Sequence, residues 1–262
     1  MLSNLEPELS AIAAHLRRAQ RVLFITGAGI SADSGLPTYR GINGLYDGQA
    51  TEEGLDIEDM LSGEMLRQRP DLTWKYLAQI EAACHGAAPN DAHRALSMIE
   101  ANGTYSLVLT QNIDGLHHAA GSQNLIEIHG NLRRLRCLQC GGRETVDTLI
   151  GRPLPPVCHH CGALMRPEVV LFGERLDERN LERLYSEIAE GFDLVLSIGT
   201  TSTFPYIVEP VAWAIRAGVP TVEINPQETQ ISPYVRYRLP LRAAEAMRAL
   251  LARSALGFDE VG

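Results

Sequence analysis

Two C-x-x-C pairs, Cys137/Cys140 and Cys158/Cys161, stand seventeen residues apart. Two such knuckles bring four thiolates to the corners of a tetrahedron, the geometry Zn²⁺ adopts. With every corner filled by protein, no position remains for an activated water, so the spacing predicts a structural zinc. Two redox pairs, or unrelated buried cysteines, are the competing reading. His159 and His160 lie inside the second knuckle, where the loop is too tight to let them replace a cysteine. Cys84, the fifth cysteine, is expected as a small buried apolar residue. A second chemical group opens at Val22–Thr26, an apolar run followed by Gly27, Gly29 and Ala32 in the G-x-G-x-x-[G/A] arrangement that lets a dinucleotide pyrophosphate approach the backbone. The turn then runs into Gly35-Leu36-Pro37-Thr38-Tyr39-Arg40-Gly41, where proline and glycine forbid a regular helix. A third group follows two further apolar runs: Gln111-Asn112-Ile113-Asp114 and His129-Gly130-Asn131. A histidine alone is more often a hydrogen-bonded structural residue than a catalyst. The position of His129 beside the glycine turn favours chemistry, because a near-neutral imidazole is a ready general base.

These groups need elements to hold them. Runs with strand character recur at 22–26, 105–110, 125–128, 193–198 and 220–224. The intervals read as helices with a period near 3.6, at roughly 3–19, 56–68, 71–83, 90–101, 177–190, 205–217 and 242–254. Asn90 and Asp91 supply an N-terminal cap for the fourth. The alternation predicts an α/β fold: a Rossmann-like parallel sheet with helices on both faces, its ligand edge at the carboxyl ends of the strands. Two intervals do not fit the sheet. Residues 41–85 are helical where a second strand should come, and residues 131–166 are rich in Arg, Gly, Pro and Cys. They are expected to form a smaller helical and zinc-binding domain over the carboxyl edge, leaving 1–40, 86–130 and 167–262 as the sheet domain. A formal net charge of −9 argues against a general nucleic-acid binder. Arg133, Arg134 and Arg136 are the densest basic cluster and read as a solvated strand edge. No apolar stretch approaches membrane-spanning length, the first thirty residues lack signal-peptide form, and the odd cysteine count suits a reducing compartment, so a cytoplasmic location is expected.

Taken in order, G-A-G-I-S-A-D-S-G-L-P-T-Y-R at 27–40, Q-N-I-D at 111–114, H-G at 129–130, the paired cysteines, R-P-E-V-V-L-F-G-E at 166–174, G-T-T-S at 199–202 and E-I-N at 223–225 resemble the sirtuins of bacterial type. These are NAD-dependent protein lysine deacylases, and the likeness spans about 20 to 248. It implies NAD as co-substrate, acylated protein lysines as partners, and neither nucleic acid nor membrane. The reaction it implies breaks the bond between nicotinamide and ribose, which accounts for a loop in place of a second strand. The acyl-lysine oxygen attacks the ribose and expels nicotinamide, giving an alkylimidate. His129 then removes a ribose hydroxyl proton, and the products are free lysine, nicotinamide and 2′-O-acyl-ADP-ribose.

By the same resemblance Ala28, Ile30, Asn112 and Asp114 line the nicotinamide pocket, where an amide needs both a donor and an acceptor. Tyr39 shields the ribose carbon, Arg40 holds the loop and phosphates, Thr200 and Ser202 meet phosphate or ribose oxygens, and Asn225 meets the adenosine ribose. Gly27, Gly29, Ser34, Thr38, Gln111, Gly199 and Ala243 complete the cofactor set. Val170, Leu171 and Phe172 form the acyl-lysine tunnel with Tyr76, and substrate peptide adds as a strand between the domains. Thr38 stands where many members carry Asp, Tyr39 where many carry Phe, and Pro205 falls earlier than in the common pattern. Members that remove succinyl and malonyl groups carry a Tyr followed three residues later by Arg. Here Gln79 follows Tyr76 and no arginine occurs from Pro70 to His93, so neutral acyl groups are expected, acetyl first, with longer chains if Leu77 and Ile80 line the tunnel. Protein mono-ADP-ribosylation shares the nicotinamide cleavage and is the nearest alternative. A hydride-transferring oxidoreductase would use Asp47 on the ribose, but Asp47 sits in a glycine-rich loop and not at a strand end. A zinc-ribbon binding module leaves Gln111 to Asp114 and His129 unexplained.

Overall fold

The computed structural model describes residues 2–37 and 51–254. The strands are β1 (Arg21–Thr26), β2 (Tyr105–Thr110), β3 (Leu125–Glu127), β4 (Gly130–Cys137), β5 (Arg143–Thr145), β6 (Met165–Val169), β7 (Leu194–Ile198), β8 (Thr221–Ile224) and β9 (Tyr237–Leu239). The helices are α1 (Glu6–Arg18), α2 (Ala28–Ser31), α3 (Ile57–Met60), α4 (Gly63–Gln68), α5 (Pro70–Cys84), α6 (Asp91–Ala101), α7 (Leu116–Ala119), α8 (Glu178–Glu190), α9 (Pro205–Arg216) and α10 (Ala243–Ser254). Short 3₁₀ turns occupy Leu2–Leu5 and Ala32–Ser34.

The larger sheet has the order β3-β2-β1-β7-β8-β9, with every neighbouring pair parallel. The chain steps outward from β1 to β2 and β3, then returns to β7 on the other side of β1. This reversal opens a crevice at the carboxyl ends of β1 and β7, where ligands bind in open parallel sheets. Side chains alternate across β1: Val22 and Phe24 join the cluster packed by α1, α6 and α10, whereas Leu23 and Ile25 join the cluster packed by α8 and α9. Both faces are covered, which is why these strands read as unbroken apolar runs. Phe24 is fully buried; such burial is worth about 1.5–3 kcal/mol.

The smaller sheet, β5-β4-β6, is antiparallel and ends β4 on Cys137. It shares one apolar cluster with α3, α4 and α5, including Trp74, Leu77, Leu135 and Met165. The Trp74 indole N–H donates to the Met165 carbonyl at 3.1 Å, so the buried ring keeps a polar partner.

Several elements differ from the sequence expectation. The helix expected over 56–68 divides into α3 and α4 because Leu61 to Gly63 pairs with another chain segment: Phe172 N–H donates to the Leu61 carbonyl at 3.0 Å and Gly63 N–H to the Phe172 carbonyl at 3.1 Å. Ser62 then caps α4 by accepting the Met65 N–H at 3.0 Å. Strands β5, β6 and β9 were not foreseen, and of β4 only a strand edge at Arg133, Arg134 and Arg136 was expected. The expected solvated edge at Arg133, Arg134 and Arg136 is instead the central strand of the smaller sheet, flanked on both sides. Arg134 is drawn in by ion pairs to buried Glu127 at 2.5 Å and to Glu168 at 3.9 Å.

Candidate active site

The crevice is built around two glycine turns that touch. Gly29 N–H donates to the Gly199 carbonyl at 2.8 Å, and Gly27 N–H to the Ile198 carbonyl at 3.2 Å. A Cβ on Gly29 would lie 2.6 Å from the Gly199 Cα, and one on Gly27 would lie 2.9 Å from the Gly199 carbonyl oxygen. Gly199 itself has φ +59°, where a side chain is strained. Beside this contact Gln111 Nε2 donates to Thr200 Oγ1 at 2.7 Å, and Asn225 Nδ2 donates to the Thr200 carbonyl at 3.0 Å. Gln111, Gly199, Thr200 and Asn225 therefore converge on the carboxyl ends of β2, β7 and β8. Ser202 sits at φ 53°, fully buried, with its hydroxyl 3.5 Å from that of Ser197. Ser34 accepts from Asn90 Nδ2 at 3.0 Å, and Ala243 is buried in the core at the start of α10.

Below the turns lies a cavity lined by Ala28, Ser31, Leu36, Pro37, Ile80, Cys84, Asn112 and Asp114. Ile30 is absent from this wall; its side chain is fully buried in the core beneath. Ser31 is the hub of the polar side. Its hydroxyl donates to Asp114 Oδ2 at 2.7 Å and accepts from Asn112 Nδ2 at 3.1 Å. His93 approaches the same oxygen through Nε2 at 3.4 Å, and its Nδ1 accepts the Asn90 N–H at 3.4 Å, which leaves the ring proton on Nε2 to donate to Ser31. Asp114 also accepts the Leu116 N–H at 2.9 Å. Burial raises the Asp114 carboxyl above its ordinary range despite these donors.

His129 follows β3, and its Nδ1 lies 3.0 Å from the Gln111 backbone carbonyl. A carbonyl only accepts, so Nδ1 carries the proton and Nε2 presents its lone pair. That nitrogen is 2.7 Å from the Tyr206 hydroxyl. Burial lowers the imidazole pKa, while the Gln111 carbonyl acts in the opposite direction, so the ring is neutral at pH 7.

The 166–174 segment is anchored to this centre. Val170 N–H donates to the His129 carbonyl at 2.9 Å. Arg166 makes two hydrogen bonds to Glu174, both at 2.7 Å, and Glu174 accepts the Leu171 N–H at 3.0 Å. Leu171 is buried and Phe172 exposed. Tyr76 is turned toward Glu53, which accepts from its hydroxyl, and Lys75 pairs with Glu52 and Glu53 at 2.7 Å. The four cysteine sulfurs, those of Cys137, Cys140, Cys158 and Cys161, lie within 4.8 Å of one another. The pairs Cys137/Cys161 and Cys140/Cys158 are 3.5 and 3.6 Å apart. Those distances suit a tetrahedron with Zn–S near 2.3 Å, whose edge is about 3.8 Å.

The Sir2 family pattern matches residues 27–205. This chain belongs to the Sir2 family. A relative named NAD-dependent protein deacylase 2, from Pseudomonas syringae pv. tomato, is 53% identical over 243 residues, covering 92% of this chain and 98% of its own. A solved Sir2 homologue in complex with NAD superposes with a TM-score of 0.84 at 33% identity, covering 94% of each chain. A mutant Sir2 homologue bound to 2′-O-acetyl ADP ribose gives a TM-score of 0.84 at 32% identity, over 95% of this chain and 98% of that one.

In this Sir2 chain the expectations for Thr38, Tyr39, Arg40 and Asp47 fall outside the described residues. Sequence reasoning missed Ser31, His93, Cys84 and Tyr206 as parts of the site. Ser31 lies inside the quoted glycine motif, where an unassigned hydroxyl next to a phosphate turn was the available signal. His93 and Tyr206 lie on helices and are brought in only by tertiary packing.

The buried histidines His93 and His117 should make this chain sensitive to acid. Burial, with a smaller contribution from the Arg94 charge, depresses His93 from 6.5 to about 4. His117, whose Nε2 lies 2.9 Å from Thr26 Oγ1, is held well below its ordinary value by burial. A group with a depressed folded pKa protonates first in the unfolded chain, so its stabilisation is present above 6.5 and is lost as pH falls toward the folded value. For His93 that window runs from 6.5 to about 4 and corresponds to roughly 3 kcal/mol. Urea unfolding of wild type and His93→Gln across this range should show a shallower acid decline in the variant; parallel curves would contradict the assignment.

Proposed function

We propose that this Sir2 protein removes acyl groups from protein lysines at the expense of NAD, with His129 as the general base. The observation that carries this reading is the His129 imidazole: its proton is held on Nδ1 by the Gln111 carbonyl, which leaves Nε2 as the basic nitrogen, already accepting from a hydroxyl, that of Tyr206, at the edge of a glycine-lined crevice. The crevice suits NAD because Gly27, Gly29 and Gly199 let two strand-end turns close on one another where any Cβ would collide, and a dinucleotide pyrophosphate is held at a glycine turn of this kind. The cavity below suits nicotinamide. Ser31, Asn112 and Asp114 offer a carboxamide both donor and acceptor groups, and Ala28, Leu36, Pro37 and Ile80 supply an apolar wall. NAD supplies the reactive glycosidic carbon; the chain binds it, positions the acyl-lysine and moves a proton at His129 Nε2. Removing a ribose hydroxyl proton there lets the 2′-oxygen capture the acyl group, so the products are free lysine, nicotinamide and 2′-O-acyl-ADP-ribose. The relative named as a deacylase and the homologue holding 2′-O-acetyl ADP ribose support the same chemistry.

The segment 170–172 forms one side of the acyl-lysine tunnel, with the Val170 carbonyl directed to the substrate, and α5 forms the other. From α5, Ile80 and Cys84 line the cavity and Leu77 is buried beside them. The nearest cation on α5, Lys75, is already paired with Glu52 and Glu53. A succinyl carboxylate would therefore enter an apolar tunnel without a compensating charge, which costs several kcal/mol. Zinc at Cys137, Cys140, Cys158 and Cys161 holds the β4–β6 sheet together, since a structural site contributes folding free energy directly.

Three measurements test these assignments. His129→Ala should lower turnover of an acetylated peptide by roughly 10²- to 10⁴-fold, with mass analysis showing deacetylation and no ADP-ribosylated peptide in the wild type; a variant keeping more than about a tenth of the activity rules out the general base. Comparison of kcat/KM for acetyl- and succinyl-lysine in one peptide should favour acetyl by at least about tenfold, equivalent to roughly 1.4 kcal/mol. Equal turnover would place an unrecognised cation in the tunnel. Metal analysis should find one zinc per chain, and Cys158→Ser should lose it and make residues near 130–170 protease-sensitive. Wild-type protein free of zinc yet fully active would remove the metal from the account.

A further inference from the structure

The G-T-T-S-T-F-P-Y segment at 199–206 places an aromatic hydroxyl where the mechanism needs an open nitrogen. Pro205 occupies the first turn of α9, where its fixed φ and missing N–H are tolerated, and Phe204 before it is extended at φ −84°, ψ 139°. This early start carries Tyr206 over the catalytic centre. Its ring stacks on Phe204 at 5.4 Å with an interplanar angle of 9°, and both rings meet the His129 imidazole edge-on, at 84° and 87°. The hydroxyl is 2.7 Å from His129 Nε2 and has no other hydrogen-bond partner among the described residues. Nδ1 keeps the ring proton, so the phenol donates and Nε2 accepts. Burial pushes the Tyr206 phenol up to about 12, which keeps it a protonated donor at neutral pH.

Nε2 has one lone pair in the ring plane and accepts one strong hydrogen bond at a time. A ribose hydroxyl can lose its proton there only after the phenol has left. We propose that Tyr206 is a stand-in for the ribose hydroxyl: in the ligand-free enzyme it caps His129 and holds the ring in its working orientation, and cofactor binding exchanges one hydroxyl for the other. Tyr206 is thus a positioning residue acting through His129, and its role rests on the reading of His129 as the base. The groups that meet the imidazole are Tyr206 and Phe204 from the start of α9 and the Gln111 carbonyl from the loop after β2.

A donor to the neutral imidazole disfavours its protonation, so loss of the phenol raises the His129 pKa. NMR titration of labelled histidine in Tyr206→Phe, which keeps both stacked rings, should show His129 shifted upward by about half to one pH unit in the free enzyme. With saturating ADP-ribose, wild type and variant should titrate alike, because the ribose hydroxyl holds Nε2 in both. In the wild type, independently of any variant, the ¹³C signal of the Tyr206 Cζ should move when ADP-ribose is added. An unshifted His129 in free Tyr206→Phe, a difference that persists with ADP-ribose, or an unmoved Tyr206 signal would each overturn the exchange. Failure of the base assignment is read separately, as retained deacetylation in His129→Ala.

Discussion

The contact between the turns at Gly29 and Gly199 is the constraint from which the rest of the site follows. Two loops leaving adjacent parallel strands would ordinarily be held apart by side chains. Here the Gly29 amide reaches the Gly199 carbonyl, with less than a van der Waals diameter where either Cβ would stand. The head of the crevice at the β1/β7 reversal is consequently closed by backbone packed on backbone. The same contact sets the level of Thr200, and through it the orientation of Gln111 and Asn225, which bond to its hydroxyl and carbonyl. Gln111 in turn fixes the tautomer of His129 through its own carbonyl. The Gln111 backbone is itself anchored by its N–H donating to the Thr26 carbonyl at 3.0 Å, so the end of β1 helps to set which nitrogen of a histidine after β3 is basic.

The polar floor of the cavity is held under a different constraint. Ser31, Asn112 and His93 are buried and Asp114 is largely so, away from water, where an unpaired polar group costs more than a bond gains. The network meets this by giving the Ser31 hydroxyl one acceptor and two donors. Asp114 remains the group with capacity to spare: it accepts from Ser31 and Leu116, and burial still pushes its carboxyl upward against these donors. A ligand bringing an amide N–H to that carboxylate would relieve the imbalance. Its affinity would then depend on desolvation already imposed by the fold, which is how a buried site gains strength from few contacts.

The parallel sheet was legible in the sequence because its strands are buried on both faces and read as apolar runs. The glycine turn, the Gln111–Asp114 group and His129 were legible because their chemistry demands particular residue types next to strand ends. What escaped was arranged by tertiary structure. Strands β4 to β6 are interrupted by Cys, Gly and Arg serving the cysteine cluster and the Glu127–Arg134–Glu168 ion pairs, so their alternation is blurred. The period over 56–68 is continuous, and only backbone pairing with Phe172 breaks the helix. His93 read as part of a capped helix, and Tyr206 as the first aromatic of another. Nothing local to either residue reveals that Ser31 or His129 faces it.

The two sheets are coupled mechanically through one short stretch of chain. Strand β6 pairs with β4 up to Val169 opposite Gly130, and the next residue, Val170, bonds to the His129 carbonyl. At Gly130 a Cβ would stand 1.9 Å from the Glu168 carbonyl oxygen, so this crossing, like that at Gly29, is closed to side chains. Arg166 then grips Glu174 and the Val169 carbonyl, and Glu174 holds the Leu171 amide, which clamps the segment at both ends. Beyond it, Phe172 pairs with Leu61 and Gly63 and ties the helices α3 and α4 to the same line. The cysteine cluster, His129 and the helical wall are therefore connected within a few residues. A displacement of the smaller sheet against the larger one would strain the Val170–His129 backbone bond, so the position of segment 170–172 is set by the packing of one sheet on the other.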